Sequence, residues 1–342
     1  MIYLGALFLF ACIFSYTNGF QDASSVAASP IASRSLSRVH ALWLTVIFEL
    51  LGALLGGSLV ANSIYGITTY PRNESFLLVL VCGLGAAILW NFFTRMCKLP
   101  SSSTHALVGG LIGAIYGAAG NFDYIIWGRI DHVYDASGVA KVLVALFVSP
   151  LAGFIMGYFS LKLLYFLLSR ATTRVSKIFR FMQWFLLPIL AFGHGANDSQ
   201  KVMGILVLGL SVEHISGLDA IPFWVRLVVG VSLALGVVAM APGLVRRVGQ
   251  GIYRQRGVHG FVTELCSAMV LLTGSLTGGP ISTSQVIASC VMGVGSADRR
   301  KGVKWLVAKD MFFAWFLTIP LAGFVAYLMA RLLRICHDLF CG

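Results

Sequence analysis

The sequence predicts an all-α integral membrane protein made of two inverted-topology repeats, with broken helices and two re-entrant helical hairpins. Three observations carry this. The 342 residues are 58% hydrophobic and only 11% charged, with a mean hydropathy of +0.86, a composition foreign to soluble domains. Polar clusters recur inside apolar runs that are too short to divide into two spans of about 20 residues each. Arg and Lys collect in alternate loops. Long apolar stretches parted by Arg-bearing loops also favour spanning helices over barrel strands.

The net charge of +12 is then the basic face of a membrane protein, and no nucleic-acid partner is expected. The seven cysteines are scattered singly, against a disulfide framework, and Cys336-His337 with Cys341 is too sparse to read as a metal site. No GxxxxGK[ST] motif is present, so no nucleotide hydrolysis is encoded in the chain.

In chain order, Met1 to Thr17 resembles a signal peptide but lacks a basic start and a small-residue cleavage pattern, and so reads as the first membrane segment. This run is expected to break at Asn18 to Ser25, resume to Ala32 and end at Arg34 and Arg38. A second span covers about 40–61 with Glu49 inside it, followed by a polar loop at 62–74. The first hairpin has arms at 76–93 and 106–120. Its turn, Lys98 to His105, carries Pro100 and the hydroxyls Ser101 to Thr104, which can cap the second arm. A loop at 121–137 holds Asp123, Asp131 and Asp135, and a long span covers 139–168. Residues 1–169 form the first repeat, and 170–180, with Arg170, Arg174, Lys177 and Arg180, a short basic linker.

Residues 181–342 repeat the plan. A span at 181–210 is expected to break around Gly195-Ala196-Asn197-Asp198-Ser199-Gln200-Lys201, because a bilayer tolerates such residues only inside protein or beside a wet cavity. A loop with Glu213 and Asp219, a span at 221–245 and the basic group Arg246, Arg247, Arg254 and Arg256 follow. The second hairpin covers about 258–295 and turns at Gly278 to Gln285. Beyond Arg299, Arg300, Lys301 and Lys304 a last span runs to about Leu333.

Two features support the repeat. Asn18 and Asp22 pair with Asn197 and Asp198, and Pro100 to His105 aligns with Pro280 to Gln285. Asp22 precedes Pro100 by 78 positions and Asp198 precedes Pro280 by 82. Charge then orients the halves. Loops at 34–38, 170–180, 246–256 and 299–304 are basic, whereas those at 62–74, 121–137 and 211–220 hold six carboxylates against Arg72 and Arg129. Basic loops stay cytoplasmic, which makes the protein multi-pass in the cell membrane and makes its halves inverted copies. Both breaks and both hairpin tips should meet near the midplane.

The tips suit an oxyanion. Each second arm would aim its free N–H groups and positive dipole end at the centre, and Ser102, Ser103, Thr104, Ser282, Thr283 and Ser284 add donors without fixed charge. Asp22 and Asp198, beside Asn18 and Asn197, would repel that anion unless a cation sits between them. Such oxygen-rich sites hold sodium or a proton, with sodium a candidate at Asp22 and Asp198. Glu49 and Glu264, in apolar spans, are further candidates for proton coupling. Lys201 either contacts the anion or pairs with Asp198.

At these residues the chain closely resembles the inorganic phosphate transporter (PiT) family of sodium- or proton-coupled permeases, in a short bacterial form. Asn18-Gly19-Phe20-Gln21-Asp22-Ala23 resembles its first signature and Gly195-Ala196-Asn197-Asp198 its second. Trp90 to Thr94 with Pro100 to Gly109, and Gly279 to Ser284, resemble its two hairpins, while Glu49 and Glu264 fall where the family carries functional glutamates. The resemblance implies phosphate at the Ser/Thr tips, Gln21, Asn197 and Gln200 in its binding set, cations at the signature carboxylates, a homodimer, no cofactor and no enzymatic activity. Gln21 and Gln285 depart from histidines usual in the family. The rivals are a permease for sulfate or another oxyanion, an anion channel, and an intramembrane hydrolase built on Ser103, His105 and Asp22.

Overall fold

A computed structural model of the chain describes residues 2–97, 99, 101–130, 136–170, 175–213, 221–240 and 242–341, the last six of these as backbone only. Expectations on Lys98, Pro100, Asp131, Asp135, Arg174 and Asp219, and on the side chains of Cys336, His337 and Cys341, lie outside the described residues.

The described chain is helical: α1 (Ile2–Val26), α2 (Ala28–Ala32), α3 (Arg38–Leu55), α4 (Leu59–Tyr65), α5 (Glu74–Met96), α6 (Ser103–Ala119), α7 (Gly138–Leu167), α8 (Val175–Val212), α9 (Phe223–Val238), α10 (Pro242–Arg246), α11 (Gly257–Thr277), α12 (Thr283–Arg299) and α13 (Trp305–Cys341). Seven of these are long and apolar enough to cross a membrane. Sequence punctuation sets the ends. The side chains of Ser37, Asn73 and Ser102 accept the N–H of the third residue onward and so cap α3, α5 and α6. Gly120 and Gly278, with φ of 79° and 71°, close α6 and α11 in the left-handed region that favours glycine.

Packing partners are exchanged in pairs. Helix α1 packs on α9 and α5, and α8 on α3 and α11. Likewise α6 packs on α13, and α12 on α7. Two apolar clusters flank a polar layer. Helix α1 leaves the first cluster at Phe14 and joins the second at Val26, whereas α8 leaves the second at Ala191 and joins the first at Val202. The arms of the α5–α6 hairpin lie in the first cluster and those of α11–α12 in the second. The two hairpins therefore enter from opposite ends, and their turns touch: Ser284 Oγ donates to the Ser101 carbonyl (2.9 Å) and Thr104 Oγ1 to that of Ile281 (3.3 Å).

Three expectations need correction. Neither signature breaks its helix, for α1 is continuous through Asn18–Ser25 and α8 through Gly195–Lys201. The backbone stays bonded along each helix, so the main chain need not unwind; Gln21, Asp22 and Asn197 each reach a neighbouring element, while Asp198 bonds residues of its own helix. Glycine here serves contact: a Cβ on Gly195 would lie 2.6 Å from the Cα of Glu49, and one on Gly52 would lie 2.8 Å from the Ala196 nitrogen. The span expected at 221–245 ends at Val238, ahead of Pro242, whose ring disfavours helix in the residue before it. The span expected at 40–61 ends at Leu55, and α4 starts after Ser58.

Candidate functional site

The polar layer joins four pieces of chain: the middle of α1, the middle of α8, and the first turns of α6 and α12. Helical spacing puts Asn18, Gln21 and Asp22 on one face of α1, and His194, Asp198 and Lys201 on one face of α8. Ligand atoms of Asp22, His194 and Asp198 all lie within 4.8 Å of one another. The two signature carboxylates, 176 positions apart in sequence, therefore share one site. None of Asn18, Asp22, Asn197, Asp198 and Lys201 exceeds 2% exposure, so the site is closed to both sides.

The two carboxylates differ in partners. Both oxygens of Asp198 are partnered: Lys201 Nζ donates to Oδ1 (2.5 Å) and His194 Nε2 lies 3.0 Å from Oδ2. The other ring nitrogen, Nδ1, is 2.7 Å from Glu49 Oε1, off the line of a good hydrogen bond. Glu49, His194, Asp198 and Lys201 thus form one buried chain of ionisable groups between α3 and α8. Asp22 accepts from Ser103 Oγ at 2.6 Å through Oδ2, while its Oδ1 has no partner. Asn18 Oδ1, Gln21 Oε1, Asn197 Oδ1 and Thr283 Oγ1 are likewise buried without partners among the described residues. Ligand atoms of the two carboxylates lie no more than 4.8 Å apart; at an effective dielectric constant of about 20, two bare like charges that close would repel by roughly 3 kcal/mol or more, which the Lys201 ammonium on Asp198 offsets in part.

The hydroxyl tips are only partly available to a ligand. Ser102 caps α6 by accepting from the His105 N–H (3.2 Å), and Ser103, Thr104 and Ser284 donate to protein oxygens. Ser282, the cap residue of α12, bonds no backbone N–H with its side chain; its Oγ lies 3.4 Å from that of Ser284. The first turn of α12 is therefore the less committed of the two, and Thr283 Oγ1 has no partner among the described residues. Gln21 Nε2 donates to Thr94 Oγ1 (3.1 Å) and Ser101 Oγ (2.8 Å), tying α1 to the first turn.

Asn197 Nδ2 donates to the Gly279 carbonyl (3.0 Å) and ties α8 to the second. Gln200 commits its amide to the backbone. Its Nε2 donates to the Gly56 carbonyl (2.6 Å) and its Oε1 accepts the Val60 N–H (2.9 Å), bridging the gap between α3 and α4. Glu264 is fully buried on α11 with both oxygens unpartnered and makes no ion pair among the described residues, unlike Glu49. His105 faces Gln285 (3.3 Å) while Ser103 bonds Asp22, so no Ser103–His105 pair forms.

His194, to which the sequence analysis assigns no role, lies at the centre of the site. Its spacing of four from Asp198 on an apolar helix was the available signal. Lys201, left between two roles, bonds Asp198.

The phosphate transporter family profile matches residues 18–326. A "probable low-affinity inorganic phosphate transporter" of Rhizobium meliloti (strain 1021) is 32% identical over 327 residues, covering 95% of each chain. One of Bacillus subtilis (strain 168) is 29% identical over 94% of this chain and 96% of its own. Among solved structures, one titled "The sodium-dependent phosphate transporter" aligns with a TM-score of 0.85 over 98% of this chain and all of that one, at 22% identity, which establishes the shared fold.

Proposed function

The chain belongs to the phosphate transporter family, and from that premise we propose that it carries inorganic phosphate across the membrane by symport with sodium or protons, alternating access around the closed polar layer. The observation that carries this reading is the meeting of Asp22 and Asp198 beside the first turns of two oppositely inserted hairpins. The free N–H groups of α12, with Thr283, would take the anion. Cations at Asp22 would offset the repulsion between phosphate and carboxylate. The opposite course of α1 and α8 between the two apolar clusters supports reading 1–169 and 181–342 as inverted copies joined by a basic linker. Basic loops then face the cytoplasm in the cell membrane, and the homodimer implied by the resemblance is part of the same reading.

Labelled phosphate uptake into proteoliposomes tests it. Phosphate should accumulate above its external level only under an imposed sodium or proton gradient, and unlabelled sulfate should compete poorly. Asp22→Asn, which removes a charge but keeps an oxygen toward Ser103, should abolish accumulation. Purely downhill flow would make the protein a channel, and stronger competition by sulfate would make it a sulfate permease.

A further inference from the structure

The two halves of the polar layer are unequal at one position. Three residues after Asp198 stands Lys201; three after Asp22 stands Ser25. The Lys201 ammonium is buried at 1% exposure and surrounded by oxygens from three elements. It donates to Asp198 Oδ1 (2.5 Å), Thr104 Oγ1 (2.7 Å) and the Ile281 carbonyl (2.7 Å). An ammonium has three donors, so none is left for an anion. A carboxylate, a hydroxyl and a main-chain carbonyl are also the hard oxygen set that holds a small metal cation. Across the layer the opposite holds. Asp22 Oδ1, Asn18 Oδ1 and Gln21 Oε1 are buried acceptors on one face of α1, none of them satisfied among the described residues and none with a lysine near in sequence.

We propose that Lys201 is a tethered cation: its ammonium permanently fills the cation site of the second half, and only the Asp22 side takes a free monovalent cation. The inference rests on the cation-coupled reading for its consequence in transport, but the site itself is defined by binding. A covalently held charge cannot leave with the substrate. It therefore neutralises Asp198 in every state of the cycle, while neutralisation of Asp22 must come and go. One fewer cation is drawn from solution per cycle than two vacant carboxylate sites would require.

Lys201→Ser copies the residue at the corresponding place in the first half and should open a second site. Purified full-length protein in detergent is unfolded over a sodium chloride titration, with choline chloride holding ionic strength constant. The slope of unfolding free energy against the logarithm of sodium concentration counts ions bound by the folded state. It should rise by one ion per chain in Lys201→Ser. The double variant Lys201→Ser with Asp198→Asn removes both charges and should return to the wild-type slope. An unchanged slope in folded Lys201→Ser overturns the proposal. If that variant is unfolded without sodium, sodium should restore it; failure to restore it while the double variant folds also overturns the proposal. Absence of phosphate uptake by the wild type would sink the transport reading alone, since the ion count is measured without phosphate.

Discussion

Thr283 and Gln200 were both expected to touch the anion, yet they sit at opposite ends of the scale of availability. The Thr283 hydroxyl is buried and unspent, whereas both polar atoms of Gln200 are committed to backbone groups at Gly56 and Val60. Their alanine variants should therefore separate. Thr283→Ala should weaken phosphate binding by about 1–2 kcal/mol, roughly five- to thirtyfold, with an unchanged melting temperature. Gln200→Ala strands a buried N–H and a carbonyl, and should cost about 1–3 kcal/mol of stability with little change in affinity. Isothermal titration with phosphate alongside thermal unfolding would check both; a melting loss for Thr283→Ala would make that hydroxyl structural. Residue identity was legible in the sequence because Asp, Asn and Ser are costly in an apolar run. Which oxygens stay unsatisfied was not, since that depends on helices far away in the chain.

At the scale of elements, the hairpins were legible and the course of α1 and α8 was not. A turn must show polar or helix-ending residues, and Lys98–His105 and Gly278–Gln285 do so. A glycine inside a helix is ambiguous, since it weakens the helix and also lets a second helix come close. Around Gly195 close approach prevails: α3 and α8 meet backbone to backbone at Gly195, Gly52 and Gly56. This contact sets His194 against Glu49. Gly195→Ala should push α3 away, cost about 1–3 kcal/mol as an overpacked contact, and impair transport by separating that pair. A stable, fully active Gly195→Ala would mean that the helix contact is loose and does not position the site. The far end of the second hairpin is held differently. Asp298, at the end of α12, accepts from Tyr165 Oη (2.7 Å) and from Tyr253 Oη. Burial, reinforced by Asp298, pushes the Tyr253 phenol up to about 12, so it remains a donor at neutral pH.

On the scale of the whole molecule, the charge asymmetry of the loops makes a prediction that packing alone does not. The exposed Ser137 immediately precedes α7, and the partly exposed Ser176 lies in the first turn of α8. The 30 residues of α7 span about 45 Å at 1.5 Å each, more than the ~30 Å hydrocarbon core. The two ends of α7 must therefore face opposite sides of the membrane, and the short linker keeps Ser176 near the far one. Which side is which depends on Arg170, Arg174, Lys177 and Arg180 staying in the cytoplasm. After native thiols are replaced, a cysteine at Ser137 should react with an impermeant thiol reagent on intact cells, and one at Ser176 only after the membrane is opened. Labelling of Ser176→Cys from outside, with Ser137→Cys protected, would reverse the whole molecule. It would leave the opposed hairpins and the shared carboxylate site as they are, but it would exchange the side from which each hairpin enters. Labelling of both from outside would contradict a spanning α7, and with it the inverted relation of the two halves.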